Sequence, residues 1–118
     1  MLALSGCAST YVQSTRQDAA SLRVLNAARD VNLGVLAFKN PEVCSGYLTL
    51  PYPSGQKALL PGSELHLQVD PTQRFSLSLG TTRTLGGGMF QTCAMIVTFQ
   101  PQASQHYVLK FQWPDDKC

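Results

Sequence analysis

Residues 64–79 read ELHLQVDPTQRFSLSL, and this stretch decides the fold class. Apolar side chains occupy every second position on both sides of the Asp70-Pro71-Thr72 turn signal. Strict alternation places every second side chain on the same face of a β-strand. The stretch therefore predicts two strands that form a hairpin with one solvent-exposed face. The residues expected to face inward are Leu65, Leu67, Val69, Phe75, Leu77 and Leu79.

The same alternation returns in residues 89–99 and 106–113. Cys93, Met95, Val97 and Phe99 share one face of the first run, and Tyr107, Leu109, Phe111 and Trp113 share one face of the second. Because the two runs are consecutive, they predict a second hairpin about residues 100–105. We expect a core that contains Phe75, Leu77, Val97, Phe99, Leu109 and Phe111.

Shorter strands are indicated at 22–27, 31–38 and 46–50, with another possible at Lys57–Leu60. Residues 80–88 are typical of a loop, and their triple glycine Gly86-Gly87-Gly88 favours a hairpin turn over a phosphate site, since no Lys-Ser/Thr follows. Only residues 14–29 are compatible with a helix. The pattern predicts an all-β antiparallel sandwich, immunoglobulin-like or transthyretin-like, of about seven or eight short strands.

Composition narrows the functional classes. Charged residues make up 14% of 118 residues, and the nine Lys and Arg are scattered, with a net charge of +2. This distribution argues against a nucleic-acid-binding face. We find no run of 18 apolar residues, so no membrane-spanning helix is expected.

The N-terminal residues Leu4-Ser5-Gly6-Cys7 resemble a bacterial lipobox, in which the cysteine is acylated and becomes the new N-terminus. The resemblance implies a lipoprotein anchored through Cys7 on the periplasmic side of the outer membrane, because no aspartate follows Cys7. Met1–Leu4 is too short for a signal h-region, so we expect the signal to begin upstream. The expected organisation is a signal remnant at 1–6, a polar tether at 7–21 and a single β-sandwich domain at 22–118.

The number of cysteines limits the disulfides that can form. With Cys7 lipidated, Cys44, Cys93 and Cys118 remain, which allows one disulfide and one free thiol in an oxidising compartment. Cys93–Cys118 is preferred over Cys44–Cys93 because the expected second hairpin brings its cysteines to the same end. That bridge is worth ~3.5 kcal/mol on chain-entropy arithmetic, and it leaves Cys44 as the free thiol.

No catalytic, metal or cofactor site is recognisable. Ser45 lacks a nucleophile elbow, the cysteines lack C-x-x-C spacing, and Asp70, Asp115 and Asp116 are typical of solvated turns. Tyr47 and Tyr52 are the candidates for partner contact, because the proline-rich loop around Tyr52 suits exposure and tyrosine is favoured at interfaces.

Two functional classes remain open at this point. The first is a non-catalytic lipoprotein that serves as an interaction or structural accessory of a cell-envelope or secretion assembly. The second is a periplasmic inhibitor or small-ligand binder. Ser45-Gly46-Tyr47 is similar to one part of the loop motif of lysozyme-inhibitor lipoproteins, but the rest of that motif is missing.

Overall fold

The computed structural model describes residues 9–114, which contain strands and turns and no helix. The all-β prediction is confirmed. The eight strands of this part of the chain are β1 (Ser9–Thr10), β2 (Ala20–Asn26), β3 (Gly34–Asn40), β4 (Ser45–Thr49), β5 (Glu64–Val69), β6 (Phe75–Gly86), β7 (Met89–Phe99) and β8 (His106–Phe111).

The strands form two sheets of unequal width in a sandwich-like arrangement. The wider sheet has the order β1-β4-β3-β6-β7, and the narrower sheet has the order β5-β2-β8. Two pairs are parallel, β1 with β4 and β2 with β8, while the others are antiparallel. The sheets are therefore mixed, and the prediction of a purely antiparallel fold was wrong.

The first predicted hairpin, over residues 64–79, was also wrong. β5 pairs with β2 in the narrow sheet, whereas β6 pairs with β3 and β7 in the wide sheet. The connection turns sharply at Asp70, whose Oδ1 accepts hydrogen bonds from the backbone N–H and the hydroxyl of Thr72 at 2.8 and 2.6 Å. The chain thus crosses from one sheet to the other at this turn.

The second predicted hairpin was wrong for the same reason. β7 lies at the edge of the wide sheet, while β8 lies in the narrow sheet and runs parallel to β2. The apolar faces of β7 and β8 point toward each other, but the two strands belong to opposite sheets of the sandwich instead of one hairpin.

The true hairpin joins β6 and β7. β6 continues through residues that the sequence assigned to a loop, because Thr81, Thr82 and Thr84 pair with β7 as far as Gly86. Gly87 and Gly88 have φ values of 60° and 78°, which suit a two-residue type I′ turn. Glycine adopts such positive φ values without steric strain, because it has no Cβ. The triple glycine is a hairpin turn, as predicted, at the end of a longer strand.

One core lies between the sheets. The narrow sheet contributes Leu22, Val24, Leu65, Leu67, Val69 and Phe111, and the wide sheet contributes Val35, Ala37, Phe75, Leu77 and Leu79. The inward residues predicted for 64–79 are all buried. Val97, Phe99 and Leu109, which were expected in the core, are only half-buried. The narrow sheet has too few strands to cover them.

A buried asparagine fixes the β2–β3 connection. Asn26 is fully buried, and its Nδ2 donates to the carbonyls of Val31 and Leu59, each at 2.9 Å. Its Oδ1 accepts from the N–H of Ala28 at 3.1 Å. Leu59 also forms an isolated bridge with Leu33, so the possible strand at 57–60 is reduced to that single bridge.

The segment before β2 lies against the sandwich over much of its length. β1 pairs with β4, and the Tyr11 hydroxyl donates to the carbonyl of Gln68 at 2.6 Å. The Tyr11 ring packs edge-on against Phe75, with 5.7 Å between centroids. Residues 9–14 of the expected tether thus contact both sheets, and the ordered domain begins before residue 22. The signal remnant, Cys7 and Cys118 lie outside the described residues.

Candidate functional site

The difference in sheet width leaves an open apolar groove along one side of the sandwich. β7 and β8 are edge strands on the same side of the sandwich, and within residues 9–114 each pairs with one neighbour only, β6 and β2 respectively. β7 overhangs the narrow sheet, because that sheet has no further strand beyond β8. A groove therefore runs between the two edges; we call it the β7–β8 groove.

The β7–β8 groove has a volume of about 300 Å³ and an almost entirely apolar lining, which consists of Leu22, Val97, Phe99, Tyr107, Val108 and Leu109. The rings of Phe99 and Tyr107 meet across it at 5.0 Å between centroids. The Tyr107 hydroxyl accepts a hydrogen bond from the N–H of Gln102 at 2.8 Å, which fixes the ring at one end of the groove.

The edges of the groove carry few of the features that usually prevent strand pairing. The sequence of β7, MFQTCAMIVTF, contains no charged residue and no proline. Ile96 on β7 and Val108 on β8 are exposed apolar residues beside the groove. Long, uncharged edge strands are templates for pairing with another chain. The groove therefore suits an extended peptide segment with alternating apolar side chains.

The two tyrosines proposed as contact residues occupy different environments. Tyr47 on β4 is exposed, and its ring lies 5.2 Å from that of Phe38. Tyr52 is partly buried against the core, and its hydroxyl donates to the carbonyl of Val35 at 2.6 Å and accepts from the N–H of Val35 at 2.9 Å. Tyr52 thus ties its loop to β3, and Tyr47 alone is displayed. Neither lines the β7–β8 groove.

Ser45-Gly46-Tyr47 lies on β4 instead of a protruding loop. Gly46 has a φ of 70°, a conformation that favours glycine. The three residues therefore match the inhibitor loop motif in sequence only, because here they lie in a strand and not in a loop.

Cys44 is a free cysteine in the turn between β3 and β4, with its Sγ 3.8 Å from the carbonyl oxygen of Pro41. Cys93 is buried on the inner face of β7, opposite Thr81 of β6. On the neighbouring strand β6, Arg83 Nη2 donates to the carbonyl of Trp113 at 2.9 Å. Cys118 lies outside the described residues. The Cys93–Cys118 disulfide stays a prediction, although the β7–β8 hairpin that motivated it is not formed.

The parallel register of β2 and β8 creates a serine–histidine contact that sequence reasoning missed. Ser21 lies opposite His106, and the Ser21 Oγ is 2.5 Å from His106 Nδ1. A nucleophile needs a base within this distance, but it also needs donors for a developing oxyanion and shelter from water. His106 is exposed, Ser21 is half-buried, and neither lines the groove, so we read the contact as a cross-strand hydrogen bond.

The outer face of the narrow sheet also carries a small ionic network. Glu64 accepts from Arg23 at 2.7 Å and lies 3.1 Å from His66 Nε2. The hydrogen bond from Arg23, followed by that from His66, lowers the pKa of Glu64. Among residues 9–114, no group of three or more His, Cys, Asp or Glu side chains is placed to hold a metal ion.

A second, more polar cleft of about 500 Å³ lies at the end of the sandwich that carries the β3–β4 and β5–β6 connections. Its lining includes Tyr11, Arg16, Lys39, Asp70 and Arg74. Arg16 is held by Asp18, with Nε–Oδ1 at 2.8 Å, and lies 3.9 Å from Asp70. Burial, and to a lesser extent the Asp70 charge, raises the pKa of Tyr11 to about 12.

The part of the chain that the structure describes contains no helix long and apolar enough to cross a membrane. Comparison of the chain with protein families, with curated proteins and with solved structures finds no match.

Proposed function

We propose that this protein is a non-catalytic lipoprotein of the cell envelope that binds another protein through the β7–β8 groove, as an accessory of an envelope or secretion assembly. The observation that carries the proposal is the groove itself, an apolar channel between two edge strands with few charges to block pairing. Soluble domains rarely leave such surfaces open unless a partner covers them.

The proposed mode of binding is strand addition. An extended segment of the partner pairs with the free edge of β8 and fills the position that the narrow sheet lacks. Its backbone N–H and C=O groups satisfy those of β8, while every second side chain packs on Val97 and Phe99. Main-chain hydrogen bonds supply affinity in this mode, and the apolar lining selects the residues that enter.

The proposed location rests on the sequence. The Leu4-Ser5-Gly6-Cys7 lipobox and the absence of an aspartate after Cys7 support a lipid anchor on the periplasmic side of the outer membrane. Four cysteines in a chain of 118 residues agree with an oxidising compartment.

For the sandwich type, we favour the transthyretin-like alternative over the immunoglobulin-like one. Immunoglobulin domains place their first two strands in the same sheet. Here β2 and β3, the first two long strands, lie in different sheets.

Capture of partners from envelope extracts tests the proposal. The bait is the full lipidated chain, and the test variant is Val108→Lys, which places a charge on an exposed residue at the groove. The matched control is Leu85→Lys, an exposed apolar residue at the far end of β6. We expect at least ~10-fold weaker capture by Val108→Lys and no change with Leu85→Lys.

Equal capture by the two variants would show that the groove is not the binding surface. The identity of the captured protein separates the two functional classes. A multi-protein assembly supports the accessory role, whereas a single soluble enzyme supports the inhibitor alternative.

A further inference from the structure

The chain between the proposed lipid anchor and the sandwich is very short. β1 begins at Ser9, which lies opposite Leu48 of β4, and the Ser9 carbonyl accepts from the Thr49 hydroxyl at 3.3 Å. Only two residue steps separate Cys7 from Ser9, and two residues span at most ~7 Å. The sandwich therefore cannot stand away from an acylated Cys7.

The polar headgroup layer of a bilayer is itself ~5–8 Å thick on each side. A lipid attached to Cys7 consequently holds Ser9 inside or directly above that layer. We propose, on the basis of the lipid anchor in the proposed function, that the β1–β4 edge docks directly on phospholipid headgroups. The anchor then fixes the orientation of the domain as well as its location.

The side chains at this edge fit a membrane interface. Val43 in the β3–β4 turn and Tyr47 on β4 are exposed, as is Val12, two residues after β1. Tyrosine is enriched at the headgroup level of membranes, where one end of its ring is apolar and the other is wet. Exposed valines beside it add apolar area that is otherwise in contact with water.

Lys39 supplies a cation at the same edge. A Cβ added to Gly46 would lie 3.1 Å from the Lys39 Cβ and 3.7 Å from its Cδ, so the Lys39 stem runs directly over Gly46 on β4. A lysine stem on apolar surface with its ammonium in the headgroup layer can pair with lipid phosphates. Glu42 is the one carboxylate in the adjoining turn, residues 41–44.

The orientation places the β7–β8 groove on the side away from the bilayer. β1 and β7 are opposite edges of a five-stranded sheet, separated by four strand spacings, or ~19 Å. A protein partner can then reach the groove without competing with lipid. Membrane docking then uses the β1–β4 edge of the wide sheet, and strand addition uses the β8 edge of the narrow sheet on the other side of the sandwich.

Depth measurements with introduced tryptophans test this orientation. The lipidated full chain, expressed from its complete gene, is reconstituted in vesicles of phosphatidylethanolamine and phosphatidylglycerol that contain a brominated lipid. Val43→Trp reports on the β1–β4 edge, and Met89→Trp reports on β7. The native side chains are 71% and 63% exposed, so neither change disturbs the core, and the buried Trp113 is common to both variants.

We expect bromolipid to remove at least about half of the emission of the introduced tryptophan in Val43→Trp, with a blue shift, because that residue lies at the acyl boundary. In Met89→Trp we expect quenching by aqueous iodide and none by bromolipid. A six-residue Gly-Ser insertion between Ala8 and Ser9 should reduce the bromolipid quenching of Val43→Trp, because the domain can then move away from the bilayer.

Mass spectrometry of the same samples separates the possible failures. An unmodified Cys7 would overturn both the lipid anchor and the docking. An acylated Cys7 with equal iodide access to both tryptophans would overturn the docking alone.

Discussion

Replacement of the buried Asn26 tests whether a polar group holds the β2–β3 end of the sandwich together. The side chain makes three hydrogen bonds, two as a donor and one as an acceptor, to backbone groups of Val31, Leu59 and Ala28. Each is worth ~1 kcal/mol net, and loss of the side chain leaves buried backbone groups without partners, at 1–3 kcal/mol for the worst of them. We therefore expect Asn26→Ala to lower the free energy of unfolding by ~3–5 kcal/mol.

Urea denaturation followed by circular dichroism measures this loss. For a domain of this size, an m-value of ~1–1.5 kcal/mol/M converts the loss into a midpoint about 2–5 M lower. Asn40→Ala is the matched control, because Asn40 is exposed and donates only one long hydrogen bond, 3.4 Å to the Ser45 hydroxyl. That change should cost less than ~0.5 kcal/mol.

Asn26→Asp refines the test. It retains the acceptor for the Ala28 N–H and directs a carboxylate toward two carbonyl oxygens, so it should be at least as destabilising as Asn26→Ala at neutral pH. Protonation restores one donor, so the stability of this variant relative to the native protein should improve as the pH falls. Equal costs for Asn26→Ala and Asn40→Ala, near zero, would refute the reasoning.

Three further predictions concern the core, a tyrosine and the disulfide. Phe111→Ala should cost ~3–5 kcal/mol of unfolding free energy, against less than ~1 kcal/mol for the exposed Phe90→Ala; similar urea midpoints would contradict the core assignment. The pKa of Tyr11 is raised from 10.0 to about 12 in the folded state, so its contribution to stability is complete below pH 10 and is lost between pH 10 and 12. Tyr11→Phe should remove this alkaline phase from stability–pH curves, and its persistence would assign the phase to another group. Non-reducing peptide mapping should recover a Cys93 peptide linked to Cys118, whereas a bridge to another cysteine would exclude that pairing.

Periodicity in the sequence predicted which side chains face inward, but it did not predict which strands pair. The apolar positions of β5 and β6 were identified correctly, from Leu65 to Leu79. The same alternation of apolar residues is compatible with a hairpin within one sheet and with a connection that crosses between two sheets. The Asp70 turn is visible in the sequence, but the choice also depends on the distant partner strand β2, which no local pattern shows.

The candidate groove was missed for a related reason. Val97, Phe99 and Leu109 carry the alternation of core residues, so the sequence placed them in the core. Their partial exposure results from the different widths of the two sheets, which is a property of the whole topology. One local signal was available, since β7 carries apolar residues on both faces and no charge.

The position of β2 at the centre of the narrow sheet has a consequence for the kinetics of folding. Leu22 lies opposite Leu67 and Tyr107, which are 45 and 85 positions further along the chain (67 − 22 and 107 − 22). Such separations raise the contact order, and all-β domains of high contact order fold in about milliseconds to seconds. The narrow sheet cannot be completed before residues near Phe111 are available. A chain that emerges from a ribosome or a translocon therefore cannot form this sheet until almost all of the domain has emerged. In the exported lipoprotein that we propose, that delay keeps the chain unfolded while it crosses the inner membrane.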